Sequence, residues 1–386
     1  MTAPDRPRRR LALSVRAALA LVLLVGLLLG WIQAARRQHS AVLAIQARDE
    51  YTITYDDGST LSYQGGFFSS GPQLSRPAAA RWPVGWLEAH VGRDYFRTVV
   101  GVSLGGDSFY APPLARADVV PTLLQLRHLR TVELPNLGLT DAEPGLLAGL
   151  ASLESLILSD SGSDLSDAGF RDLGRLATLK RLLVWGDFTD DDLVALRGLD
   201  RLEELTLLTP SRRFDGGRSP RLTGRGLAHL AALPNLHSLE VESGRLDAAG
   251  LEALGQFRQL RNLKIVGGTY GDADLKPLAR LTRLLHLSLE DAPIDGTGFA
   301  ALGELDLLER VEVRSPRLSD AILPTLVGLP NLRSVTLRRN GLTIEAVEGL
   351  RAAPRLTRLD LPGLSKADQD RLRRALPNCQ VFGVFD

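Results

Sequence analysis

Cysteine is almost missing from this chain. Cys379 is the only one in 386 residues, which excludes an internal disulfide framework and a zinc site built on cysteines. Aromatic residues are scarce too, at 5% against 44% hydrophobic residues in all, so leucine and other aliphatics must fill the interior. Many small packed layers fit that supply better than one core built on large rings. No single sign of charge dominates: the formal net charge is +1. The balance hides a split, because residues 1–40 carry Arg6, Arg8, Arg9, Arg10, Arg16, Arg36 and Arg37 against Asp5. Seven minus one is +6, so subtraction from +1 leaves the remaining chain at −5. A mildly acidic body with a basic tip is not the footprint of a nucleic-acid binder, whose basic groups gather on a folded face. Nucleic acid is therefore not expected as a partner.

Catalytic and nucleotide motifs are absent as well. There is no G-x-x-x-x-G-K-[ST], no G-x-S-x-G, no H-E-x-x-H and no EF-hand loop. The six histidines are scattered, and His229 and His237 read as solvent-facing. Asp190, Asp191 and Asp192 open a helix, where carboxylates suit the positive end of the macrodipole better than they suggest a cation site. Cys379 stands at a leucine position and reads as a structural thiol. No enzyme activity, metal or small-molecule cofactor is expected.

One long apolar run is present. Residues 17–35 are uncharged and lie between arginine clusters. Nineteen residues rising about 1.5 Å each cover about 28 Å, close to the roughly 30 Å of a bilayer's hydrocarbon core. Trp31 falls where an interfacial aromatic belongs, and the five arginines before the run place the N-terminus in the cytoplasm. A cleaved signal peptide is the competing reading, weakened by the lack of a small-x-small site in "WIQAARR". The sequence is thus expected to hold a basic cytoplasmic tip (1–16), a transmembrane anchor helix (17–35), then a juxtamembrane helix, hairpin and linker (36–80). The hairpin should turn at Asp56-Asp57-Gly58, and residues 66–80 read as the linker.

What dominates the rest is repetition. The pattern L-x-x-(L/V)-x-(L/V/I) begins at Leu129, Leu153, Leu179, Leu202, Leu236, Leu260, Leu284, Leu308, Leu332 and Leu356. Successive gaps are 24, 26, 23, 34 and then 24 five times. Degenerate copies flank them at Val99, Val102 and Leu104 and at Cys379, Phe382 and Val384. Within each unit, apolar residues two apart belong to a short strand. A Ser, Thr or Asp then stands where a helix N-cap oxygen is wanted: Thr140, Ser166, Thr189, Thr223, Asp247, Asp295, Ser319, Thr343 and Ser365. Apolar residues about three apart follow, as in Leu227, Leu230 and Leu233, and bury one helical face.

This period resembles the leucine-rich repeat superfamily over about residues 96–386. The likeness is to the ribonuclease-inhibitor-like subtype with convex helices, and the ladder asparagine of receptor-type repeats is missing. It implies an α/β solenoid, or horseshoe, with a parallel concave sheet. A cap and first degenerate repeat would occupy 81–128, ten repeats 129–378, and a C-terminal cap 379–386. The gap of 34 marks an insertion near 209–220 with Arg212, Arg213, Phe214 and Arg218, whose Pro, Gly and Ser content says exposed loop. The layout also resembles bacterial membrane-anchored leucine-rich repeat proteins, a likeness that carries over architecture alone.

What changes from repeat to repeat is the outward strand residue. Ile157, Leu183, Trp185 and Leu208 should form an apolar patch on neighbouring strands, the kind of surface that anchors a partner. The same loop or the hairpin, folded over it, would instead keep it dry. An acidic centre with Glu240 and Glu242 and a basic end with Arg314 and Arg338 would lie beyond it. The expected function is a membrane-anchored module that binds a protein or peptide on its concave face. Its rivals are a self-associating envelope protein, a ubiquitin-ligase-type adaptor and an envelope enzyme. The last would have to be built from Asp56, Asp57, Glu88, His90, Asp94 and the tyrosines of residues 36–98.

Overall fold

The structure is a computed structural model, and it describes residues 15–48, 50–64, 73–75, 84–91, 93–104, 119–134, 141–158, 165, 167–186, 189–208, 222–338 and 341–383. The chain divides into two compact units, Met1–Val100 and Gly101–Asp386.

The first unit opens with helix α1, Val15–Gln46. Its N-terminal half is apolar and exposed, and the helix is long and apolar enough to cross a membrane. The expected anchor and juxtamembrane helices are one unbroken element, because nothing between Ala35 and Arg36 breaks a helix: charge alone does not. Ala35, Ala41, Val42 and Ile45 are buried along one face of its C-terminal part. Strands β1 (Glu50–Tyr55) and β2 (Thr60–Gln64) pair antiparallel around the expected Asp56-Asp57-Gly58 turn. Gly58 has φ +81°, which favours glycine there. A third strand, β3 (Gln73–Leu74), pairs with β2 inside the stretch read as linker. It is held by backbone and Ser75–Thr60 hydrogen bonds, which leave no hydrophobic period to read. Helix α2 (Val84–Val91) and a 3-10 turn (Arg93–Tyr95) complete this unit.

A stack of strands, each paired in parallel with the next, starts at the last two residues of the first unit and makes up the second. In order they are β4 (Val99–Leu104), β5 (Thr131–Glu133), β6 (Ser155–Leu158), β7 (Arg181–Trp185), β8 (Glu204–Leu208) and β9 (Ser238–Glu242). There follow β10 (Asn262–Val266), β11 (His286–Glu290), β12 (Arg310–Arg314), β13 (Ser334–Arg338), β14 (Arg358–Asp360) and β15 (Gln380–Phe382). Register never slips: Leu182, Leu205, Leu239, Leu263, Leu287, Val311, Val335 and Leu359 stand in one row. The row is inward and fully buried, at about 1.5–3 kcal/mol per side chain, so a one-residue slip would expose all of it.

The return segments are helical, but not uniformly α. Asp190–Leu196, Gly224–Leu230 and Ala248–Leu254 are α-helices, whereas Asp272–Arg280 and Thr297–Leu302 are 3-10. In the first of these Pro277 removes a backbone donor that an α-helix would need. Several expected caps are in place. Thr189 and Asp192 form a reciprocal capping box, and Thr223, Asp247, Ser319, Thr343 and Ser365 each accept a backbone N–H of their own first turn. Asp295 accepts from the Thr297 amide at 2.9 Å. Thr140, Ser166 and the 209–220 insertion lie outside the described residues.

A second tier of carboxylates joins one repeat to the next. Asp190 accepts from the Thr223 amide (2.7 Å) and hydroxyl (2.6 Å), and Asp320 does the same for Thr343 (2.9 and 2.7 Å). Asp272 takes three amides of the following repeat: Asp295 (2.7 Å), Gly296 (2.9 Å) and Gly298 (2.9 Å). These residues follow the cap position, so each repeat satisfies orphan donors of its neighbour as well as its own.

Candidate functional site

Outward side chains of the parallel sheet make the candidate surface. Because a strand alternates faces, burial of Leu182 and Val184 forces Leu183 and Trp185 outward, and the same holds on each neighbour. Pairing then brings the expected apolar residues together. Ile157 faces Leu183, and Trp185 faces Leu208, each in register across adjacent strands. Thr206 continues the Leu183 row. All four apolar side chains are partly exposed. One step further, Glu242 follows the paired Leu207 and Val241 and itself faces Val266. Leu207 and Val241 point inward, so on the outward face Glu242 lies beside Val266 and within the field of Glu240, Lys264, Glu290 and Asp291. Burial first, then the neighbouring charge of Glu240, pushes its carboxyl above the usual carboxylate range, against the pull of Lys264.

Along the charged part of the face the acidic and basic side chains are interleaved as a run of alternating pairs. Lys264 lies 3.0 Å from Glu240 and 3.4 Å from Glu290. Arg314 makes a two-pronged contact to Asp291, at 3.0 and 2.8 Å, and lies 3.7 Å from Glu290. Arg338 lies 3.6 Å from Glu312 and 4.0 Å from Asp360. Burial would lower the Lys264 ammonium, but Glu240 and Glu290 outweigh it and raise it. Cations shared in this way present little net field to a partner, and single exposed pairs are worth about 0–1 kcal/mol. Glu240, Arg314 and Arg338 are thus members of this ladder, Glu242 lies beside it within the field of Lys264, and the apolar strip is the distinct part of the face.

The other singled-out side chains have structural partners. Asp192 caps its own helix and Asp190 holds Thr223, so their carboxylates point to backbone and hydroxyl donors. His229 is exposed, and His237 is half-buried 3.6 Å from Glu203. Cys379 is half-buried, and burial pushes its thiol up to about 11, away from the reactive thiolate. In the first unit Asp57 accepts from the Ser59 amide (3.0 Å) and hydroxyl (2.6 Å) and pairs with Arg93. Burial alone would raise its carboxyl; the Ser59 bonds and the Arg93 and Arg97 charges outweigh that and lower it. Glu88 pairs with Arg97. Asp94 is buried, accepting from the Tyr55 hydroxyl at 2.6 Å and facing His39 Nδ1 at 3.1 Å. Burial, reinforced by Asp94, raises the Tyr55 phenol. These groups brace the unit. Sequence reasoning missed Gln38 and His39, which sit fifty-odd residues from their partners with no periodic signal.

Neither a protein-family model nor a curated protein matches this chain. Among solved structures, an internalin (inlF) from Listeria monocytogenes is similar at 23% identity and a TM-score of 0.49, over 69% of this chain and 70% of that one. A second internalin from that organism, inlC2, is similar at 21% identity and a TM-score of 0.42, over 60% of this chain and 100% of that one. The fold stands on the chain's own geometry: parallel strands in continuous register, one buried row per repeat, and a capped helical return make it an α/β leucine-rich repeat solenoid.

Proposed function

We propose that this protein is a single-pass, membrane-anchored binding module whose sheet face holds a protein or peptide. The observation that carries the reading is the register-paired apolar strip, Ile157 with Leu183 and Trp185 with Leu208, on strands in continuous parallel register. Exposed aromatic and aliphatic side chains on a rigid platform are the usual anchors of protein recognition, and no chemical step is required. Glu242 adds a charged group at the edge of the strip and Glu240 lies beside it; Arg314 and Arg338 stand further along the same face.

Retention of the apolar helix as an anchor is favoured by its packing. The Trp31 ring meets Phe96 at 5.9 Å in a tilted contact and Ala35 is buried, so a cut after the apolar run would strip contacts from the first unit. The arginine bias puts the N-terminus in the cytoplasm and the repeats outside it.

The test uses the anchored full chain with a photo-cross-linking residue at position 183, and a second at the exposed helix-side position 258 as control. Position 183 should give a discrete partner band that disappears in a Trp185→Glu variant of unchanged thermal stability. Equal cross-linking from both positions, or a band indifferent to Trp185→Glu, overturns the reading. An alkaline-phosphatase fusion after residue 386 should be active; inactivity reverses the orientation.

A further inference from the structure

The helix that meets the length of a membrane span does not end where its apolar run ends. At about 1.5 Å per residue, the 32 residues of Val15–Gln46 extend about 48 Å, well past a hydrocarbon core of about 30 Å. The excess is packed into the first unit without a joint. Gln38 is the latch: its side-chain amide donates to the carbonyl oxygens of Asp94 (2.6 Å) and Arg97 (2.7 Å) and accepts from the Val99 amide (3.1 Å). His39 holds the Asp94 carboxylate and lies against the Tyr95 ring at 5.0 Å. Ala41, Val42 and Ile45 continue the buried face.

These contacts set heights along the helix axis. Phe96 is level with Trp31, whose ring it meets, while the carbonyls of Asp94 and Arg97 are level with Gln38. Seven residues separate those levels, about 10 Å of helix rise. The headgroup zone on each side of a bilayer is about 5–8 Å thick, half the difference between the roughly 40–45 Å bilayer and its 30 Å core. Trp31 is half-exposed near the end of the apolar run, where an indole prefers the interface. Arg36 and Arg37 follow within two turns and are exposed, at the level of lipid phosphates.

We infer that the Arg93–Arg97 turn spans the headgroup layer of the bilayer that α1 crosses, from Phe96 at the hydrocarbon edge beside Trp31 to the Gln38-bonded carbonyls at its water side. The inference rests on the anchor reading and adds to it a lipid-facing surface on the folded unit. The ligand is the zwitterionic lipid interface itself, recognised by an aromatic pair and not by a headgroup-specific pocket. The first unit is then a plinth that lies on the membrane, not a domain held off it by a tether.

Depth measurement on the full chain tests this. On a Cys379→Ser background, single cysteines replace Leu24, Ala47, Tyr95 and Phe96 in turn; Ala47 is exposed just past the end of α1, sixteen residues or about 24 Å of helix rise beyond Trp31. Each carries a nitroxide, and the protein is reconstituted in phosphatidylcholine nanodiscs. Collision with oxygen against collision with a water-soluble nickel chelate reports depth. Position 24 should be deep, 96 shallow but shielded from nickel, 95 intermediate, and 47 fully aqueous. Tyr95→Cys leaves the Trp31–Phe96 contact intact, so it answers if Phe96→Cys perturbs the turn. Nickel access at 95 and 96 equal to that at 47, with 24 deep, overturns the inference and leaves the anchor standing. Nickel access at position 24 overturns both.

Discussion

Removing the Asp272 carboxylate should weaken the solenoid by about 3 kcal/mol, and the structure says where. Asp272 accepts the amides of Asp295, Gly296 and Gly298. In Asp272→Ala the amides of Asp295 and Gly298, both half-buried, regain water, so each loses about 0.5–1 kcal/mol. Gly296 is buried, and its N–H left without an acceptor costs about 1–3 kcal/mol. The sum is about 2–5 kcal/mol. Asp272→Asn separates the contributions: one oxygen serves Gly296 and Gly298, the other serves Asp295, so an oriented amide keeps the first pair. Its loss should be about 1 kcal/mol. Hydrogen exchange read by mass spectrometry on the full chain in detergent is the assay. A 3 kcal/mol loss accelerates exchange of the 295–299 amides about a hundredfold at ten per 1.4 kcal/mol. Amides of Arg181–Trp185 should be unchanged, since a repeat couples mainly to its neighbours. Acceleration under threefold in Asp272→Ala, or equal damage from both variants, refutes the reasoning.

Two further outcomes follow from single side chains. Glu242→Gln should stabilise the protein at pH 7–8: a carboxyl raised in the folded state contributes stability that is present below its unfolded pKa of about 4.3 and lost as pH rises through the folded value. Thermal melts at pH 7.5 and pH 4 should show the gain shrinking at the lower pH, and a gain that grows there contradicts the sign. Tyr270 is 1% exposed, and its hydroxyl has no hydrogen-bond partner among the described residues. Tyr270→Phe should leave stability unchanged or raise it by about 1 kcal/mol, since an unsatisfied buried hydroxyl costs about 1–3. A loss of about 1 kcal/mol in urea unfolding means that the hydroxyl is bonded after all.

How much was legible depends on whether a feature repeats. Leu182, Leu205 and Leu239 recur at strand spacing, so their inward row, and with it the outward position of Leu183 and Trp185, is dictated by period alone. The caps at Thr189, Thr223 and Asp247 were legible for the same reason: an oxygen must stand just before each helix. The Asp272 cradle was not, because its three amides belong to the next repeat and any helix-opening Asp reads the same. Arg314 and Arg338 read as a basic end because outward position gives each strand's charge but not which side chains on neighbouring strands come within reach of one another.

By itself the sequence determined the solenoid, the alternation of inward and outward strand residues, and the apolar helix near the N-terminus. Each is set by local period, length or composition, which act between residues within one or two turns of chain. Only the tertiary structure decided what distant residues do to one another. It showed that Glu240, Lys264, Glu290 and Arg314 neutralise each other across three strand spacings. It also showed that Gln38 locks the long helix to a turn some sixty residues away. A hydrogen bond or an ion pair depends on separation in space, and separation along the chain carries no record of it.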